Sequence, residues 1–207
     1  MREMDEPIQT FKEKNGERVL KIYYDSDTES PREWDNLGKM LCFHKRYNLG
    51  DPHEVKSEDF DSWSEIEDYL RNDLNAIIVK PLRLYDHSGI SISTTAGYPY
   101  SCPWDSGQVG FIYATREDVL ENFNKKKITP KMLAMVSDVL EGEVKVYNDY
   151  LTGNVYGFNL VKPTKCKTCG HEDEEVLDSC CGFYGDDAVK SIFDSAWLKE
   201  EEWEEID

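Results

Sequence analysis

The chain has 207 residues, 39% of them hydrophobic and 12% aromatic, and carries 42 Asp and Glu against 24 Lys and Arg for a formal net charge of −18. Such a chain folds as one large or two small domains rather than staying disordered, and no run of about 18 apolar residues provides a membrane span. The acidity excludes the positive footprint that phosphate backbones require, so direct nucleic-acid binding is not expected.

Residues 1–17 are polar with little periodicity and read as a flexible segment, with Asn15-Gly16 marking a turn. Arg18–Tyr24 and Lys39–His44 read as strands, separated by an acidic loop. Asn48-Leu49-Gly50-Asp51-Pro52 is a break. Ser62 and Glu65 then fit a capping box that opens a helix through Trp63, Ile66, Leu70 and Leu74. Its other face carries Glu65, Glu67, Asp68 and Asp73. Ala76–Val79 is a short buried strand that Pro81 either ends or makes an edge.

Tyr85–Thr115 supplies two more strands, around Ile90–Ser93 and Val109–Tyr113, joined by a Gly-, Pro- and aromatic-rich connection; together they read as the central strand pair. His87, Cys102 and Asp105 are close in sequence here, which makes them candidates for a nucleophile with its base. The alternative is turn hydrogen bonds for the polar groups and a small core thiol.

Thr115 with Asp118 opens a short helix, and Thr129-Pro130 opens a longer one with Leu133, Val136, Leu140, Val144, Tyr147 and Leu151 on its apolar face. Asn154–Val161 and Val176–Tyr184 read as antiparallel mates, with a Cys-rich insertion at 162–175 between them. Asp186-Asp187 caps a final helix whose apolar face runs from Val189 to Trp203 and whose end is crowded by Glu200, Glu201, Glu202, Glu204 and Glu205. The expected fold is α+β: one mainly antiparallel sheet of about six or seven strands, with three or four packed helices, in a single domain over 18–207.

The N-terminus lacks the apolar core of a secretory signal, so a cytoplasmic location is expected and six cysteines argue for metal before disulfides. Cys166-Lys167-Thr168-Cys169-Gly170-His171 has the Cys-x-x-Cys-Gly form of a zinc knuckle. His171 or one cysteine of the Cys180-Cys181 pair supplies the missing half, and the expected cofactor is a structural zinc with Cys166, Cys169, His171 and Cys180 as the ligand set. Charge is uneven: Glu172–Asp207 holds fourteen acids against two lysines, and Asp51–Asp73 nine acids against Lys56 and Arg71. Solubility alone accounts for such surfaces. The sharper reading is that they address a basic partner.

The blocks PREWDNLGKMLCFHKRYNLGD, YDHSGISIST, CPWDSGQVGFIYAT and DSCCGFYG resemble a family of uncharacterised proteins of bacteriophages and related mobile elements. The resemblance implies genomic context rather than chemistry. Together with the acidity it implies a counter-defence inhibitor, of the anti-CRISPR or anti-restriction kind, acting in the host cytoplasm. Glu65, Glu67, Asp68, Glu200, Glu201, Glu202, Glu204 and Glu205 would block the basic nucleic-acid groove of a host defence nuclease. The alternatives are a phage enzyme using His87, Cys102 and Asp105, and an accessory phage protein with no catalytic role.

Overall fold

The structure, a computed structural model, describes residues 6–206. In chain order the strands are β1 (Gln9–Glu13), β2 (Val19–Tyr24), β3 (Lys39–Cys42), β4 (Ala76–Asp86), β5 (Ile90–Ser93), β6 (Ser106–Thr115), β7 (Val155–Lys165), β8 (Glu172–Tyr184) and β9 (Trp203–Ile206). The helices are α1 (Trp63–Asn72), α2 (Arg116–Asn122), α3 (Pro130–Leu151) and α4 (Ala188–Ser195). The fold is α+β, as the patterning predicts. Its strands form two antiparallel sheets, ordered β8-β7-β2-β1-β9 and β3-β6-β4-β5, instead of one. No helix among the described residues is long and apolar enough to cross a membrane.

The chain falls into two compact units, one built from residues up to Glu29 and from Gly153 onward, the other from Ser30–Thr152. The first unit contains the five-stranded sheet. Leu20, Ile22, Phe158 and Leu160 alternate along β2 and β7 and bury against Ile192 and Phe193 of α4, with Trp203 of β9 closing the cluster. Phe193 meets Phe11 and Trp203 edge-on, the arrangement that aromatic quadrupoles favour.

Two expectations for this unit are corrected. Residues 9–13 of the expected flexible segment form β1, which is held between β2 and β9; residues 1–5 of that segment lie outside the described residues. The final helix ends at Ser195, and Trp197 takes φ +56 with its ring 93% exposed. Glu200–Glu202 then form a 3-10 turn, and Glu204 and Glu205 lie on the edge strand β9. The crowding of acids at a helix C-terminus therefore does not arise.

The second unit layers its four-stranded sheet between helices. α3, signposted by the Thr129 cap and Pro130, lays Met132, Val136, Leu140 and Val144 on one face, with Met40, Leu82, Leu84, Ile92 and Ile112 beneath. α1 covers the other, where Ile66 and Leu70 meet Leu41 and Phe111.

A buried ionic cluster fastens the 30–51 segment to this layer. Arg32, with its side chain 5% exposed, forks onto both oxygens of Asp51 at 2.8 and 2.9 Å and donates to the Gly38 carbonyl at 2.7 Å. Its remaining arm reaches Glu143 of α3 at 3.4 Å. Asp51 also accepts the Met40 N–H, and Glu143 accepts those of Leu37 and Gly38. Burial opposes the Arg32 charge, but the bonds to Asp51 and then Glu143 outweigh it and hold its pKa above the ordinary value. Burial pushes the Glu143 carboxyl up despite those bonds. The two directions agree with the geometry, because the fork is spent on Asp51 and Glu143 receives only the longer contact.

Candidate functional site

The structure gathers the three residues of the catalytic reading at one end of the second sheet. β4 ends at Asp86, and His87, Ser88 and Gly89 turn the chain into β5, with Ser88 at φ +57 and the His87 N–H on the Gly89 carbonyl. The 94–105 connection returns to β6, where the Asp86 N–H bonds to the Asp105 carbonyl at 2.7 Å. That bond sets the Asp105 side chain beside the turn. One of its oxygens lies 3.4 Å from His87 Nδ1 and accepts from the Cys102 thiol at 3.7 Å.

The order of the three groups is the important point. A thiol nucleophile needs the imidazole beside the sulfur, with a carboxylate behind the ring. Here the carboxylate stands in the middle and takes both the thiol and the ring. Asp105 thus ties the turn to the 94–105 connection, and His87 is 61% exposed on its outer side. The arrangement orders a loop.

Sequence reading missed the neighbours of this cluster. Arg46 forms an ion pair with Asp86, and the Tyr47 hydroxyl donates to the same carboxylate at 3.5 Å. The Arg46 guanidinium lies over the Tyr47 ring, which stacks on His44. The connection itself presents Tyr98 at 85% and Trp104 at 90% exposure. The signal available beforehand was the concentration of Tyr, Trp, Gly and Pro in that connection. Such aromatic side chains on a surface are the types that dominate binding energy at interfaces.

The acids proposed as partner contacts fall in different units. Glu65 and Glu67 make local bonds: Glu65 accepts the N–H of Asp61, just ahead of α1, at 2.7 Å, and Glu67 pairs with Arg71 within α1 at 2.7 Å. Asp68 is exposed. Glu200, Glu201, Glu202, Glu204 and Glu205 are all exposed, while Trp203 between them is buried under the Arg18 guanidinium. The opposite edge of the same sheet is also acidic. Every residue of β8 from Glu172 to Gly182 is exposed, including Glu172, Asp173, Glu174, Glu175 and Asp178.

The cysteines separate into two places. β7 and β8 pair as far as Lys165 and Glu172, so Cys166–His171 is the tip of a hairpin. At that tip the Cys166 N–H bonds to the His171 carbonyl and the Gly170 N–H to the Cys166 carbonyl, with Gly170 at φ +71. The backbone N–H groups of Cys169 and Thr168, and then the Cys169 thiol, bond to the Cys166 sulfur and pull its pKa down to about 7. Cys180 sits opposite Phe158, eight residues along β8 from Glu172, or roughly 26 Å at the rise of a strand. It cannot share an ion with Cys166, and the expected four-ligand set is corrected on that ground. No group of three or more His, Cys, Asp or Glu side chains suited to a metal ion gathers among the described residues.

No protein-family model matches the chain, and comparison with the curated proteins and with the solved structures finds no significant match.

Proposed function

We propose that the protein is an acidic interaction module that occupies the basic, nucleic-acid-binding groove of a partner protein, the role expected of a phage counter-defence inhibitor. The observation that supports it is the charge on the first unit, where 22 acidic residues against 10 basic ones carry −12 of the total −18. Acids line both edges of that unit's sheet, on β8 and at Glu200–Glu205. Such edges also repel edge-to-edge pairing, which keeps the surface free for a partner of opposite charge.

A separate observation favours a second contact surface. Trp104 and Tyr98 on the 94–105 connection offer large apolar anchors of the kind that add affinity where charge adds on-rate and selectivity.

The experiment is capture from a bacterial lysate on immobilised protein at low and high salt. The wild type is compared with a variant carrying Gln at Glu200, Glu201, Glu202, Glu204 and Glu205, and with Trp104→Ala. Basic nucleic-acid-binding proteins are expected at low salt and are released by about 0.5 M salt, where the screening length falls to a few ångströms. At roughly 0.2–1 kcal/mol per exposed ion pair, the five-fold neutralised variant loses about fivefold or more in affinity. Capture that survives both high salt and neutralisation refutes the electrostatic mechanism.

A further inference from the structure

The hairpin tip carries two cysteines at the Cys-x-x-Cys spacing, fewer ligands than a metal site needs. Cys166 and Cys169, both exposed, stand in one short turn at the end of the hairpin. Gly170 in the left-handed region and the Cys166–His171 and Gly170–Cys166 backbone bonds hold the turn in this shape. Two thiolates at Cys-x-x-Cys spacing in such a turn make one edge of a zinc tetrahedron. A structural zinc, however, takes four ligands. Within the chain Cys180 and Cys181 lie far down β8, and no third ligand joins the pair among the described residues.

We infer that the Cys166–Cys169 tip is a zinc half-site completed by the same tip of a second copy, so that one Zn²⁺ held by four thiolates joins two chains. A tetrahedron has a two-fold axis through its centre, and two identical Cys-x-x-Cys turns related by that axis satisfy it without any other residue; closed two-fold pairing is also the commonest form of self-association. The tip is accessible to another molecule, since every residue from Pro163 to Gly182 is exposed. It lies beyond the last pairing of β7 with β2, at Val19 and Val161, so a second tip can approach it without meeting the body of the sheet.

Charge is compatible with this arrangement. A Zn²⁺ with four thiolates carries −2, any thiol protons passing to solvent, while Lys167, between the two cysteines, brings +1 from each chain. The rest of the acidic surface is screened over roughly 8 Å at physiological ionic strength, so two chains joined only at their tips escape most of their mutual repulsion. The site is separate from the acidic edges that support the proposed function and does not depend on them.

The test uses the full chain, reduced with a phosphine that leaves zinc alone, and measures molar mass by light scattering after gel filtration with and without added ZnCl₂. The expected result is a rise from 24.0 kDa to twice that mass. It saturates at one zinc per two chains and is reversed by EDTA. Co²⁺ in place of zinc gives the thiolate charge-transfer and ligand-field bands of a tetrahedral sulfur site. Cys166→Ser and Cys169→Ser, both at exposed positions, remain monomeric with unchanged circular dichroism, whereas Cys180→Ser doubles like the wild type. One zinc per chain in a monomer, a monomer that binds no zinc, or a mass increase that survives Cys166→Ser each overturns the inference.

Discussion

Replacing Arg32 with alanine tests the reading of the second unit. The substitution leaves Asp51 and Glu143 facing each other's charge without their shared cation and removes the donor to the Gly38 carbonyl. Removing one partner of a buried ion pair costs about 3–5 kcal/mol, because the remaining charge stays desolvated. At roughly 3–5 °C per kcal/mol for a unit of this size, the calorimetric transition of residues 30–152 falls by about 10–20 °C. Arg32→Lys keeps the charge but loses the fork, and costs less, about 1.5–3 kcal/mol.

The pH dependence separates this account from a simple packing defect. In the wild type, burial holds the folded pKa of Glu143 above the ordinary glutamate value. The folded state therefore keeps that proton over a window where the unfolded chain has lost it, and the group's contribution to stability declines as pH rises through the window. Without Arg32 the proton is held to higher pH still. The deficit of Arg32→Ala is thus largest at about pH 7.5 and shrinks on going to about pH 5, as the stranded carboxylate takes up a proton. A loss below about 1 kcal/mol, or a deficit equal at both pH values, refutes the reasoning.

Cysteine alkylation followed by mass spectrometry is expected to rank the thiols. Cys166, exposed and pulled down to about 7, reacts first, and Cys42, buried and pushed up to about 12 chiefly by burial and then by Asp51, reacts last. Equal rates for the two would contradict the environments described. Two glycines provide a matched pair for stability measurements. A Cβ at Gly110 would stand 1.9 Å from the Leu41 carbonyl oxygen, so Gly110→Ala parts β6 from β3 and costs about 3 kcal/mol. Gly142, inside α3 with open space around it, gains about 0.5–1 kcal/mol on substitution by alanine.

Much of the local structure is legible in the sequence because it is decided locally. Ser62 caps α1 through the Glu65 N–H, Thr115 caps α2 through that of Asp118, and Thr129 caps α3 through that of Met132. Alternation marks β2 and β7. The failures come where distant segments decide. β1 carries only Phe11 as an inward signal and is a strand because β2 and β9 flank it. The Val189–Trp203 pattern fits a helix by spacing, yet the chain reverses at Trp197 and buries Trp203 from a strand. Nothing in the alternation of β3, β4 and β6 says that they form a sheet separate from β2 and β7. At the candidate sites, Cys166 and Cys169 are legible from their spacing, and so is the proximity of His87 to Asp105. The place of Cys180 was misjudged because the β7–β8 ladder continues to Lys165 and Glu172, which carries the tip away from it.

The first unit is made from two ends of the chain with the whole of the second unit between them, and this has a consequence for the order of events during synthesis. β2 emerges with its last residue at Tyr24, but its partner β7 begins only at Val155, and β1 waits until Trp203 for β9. At about 5–20 residues per second a ribosome takes roughly 7–26 s to supply β7 after β2. Throughout that interval Leu20 and Ile22 lack the cover of β7 and α4, while residues 30–152 gain every strand of their own sheet before it ends. All strands of the second unit are thus made before β7, β8 and β9 of the first, so the five-stranded sheet can close only after the four-stranded one is available to form.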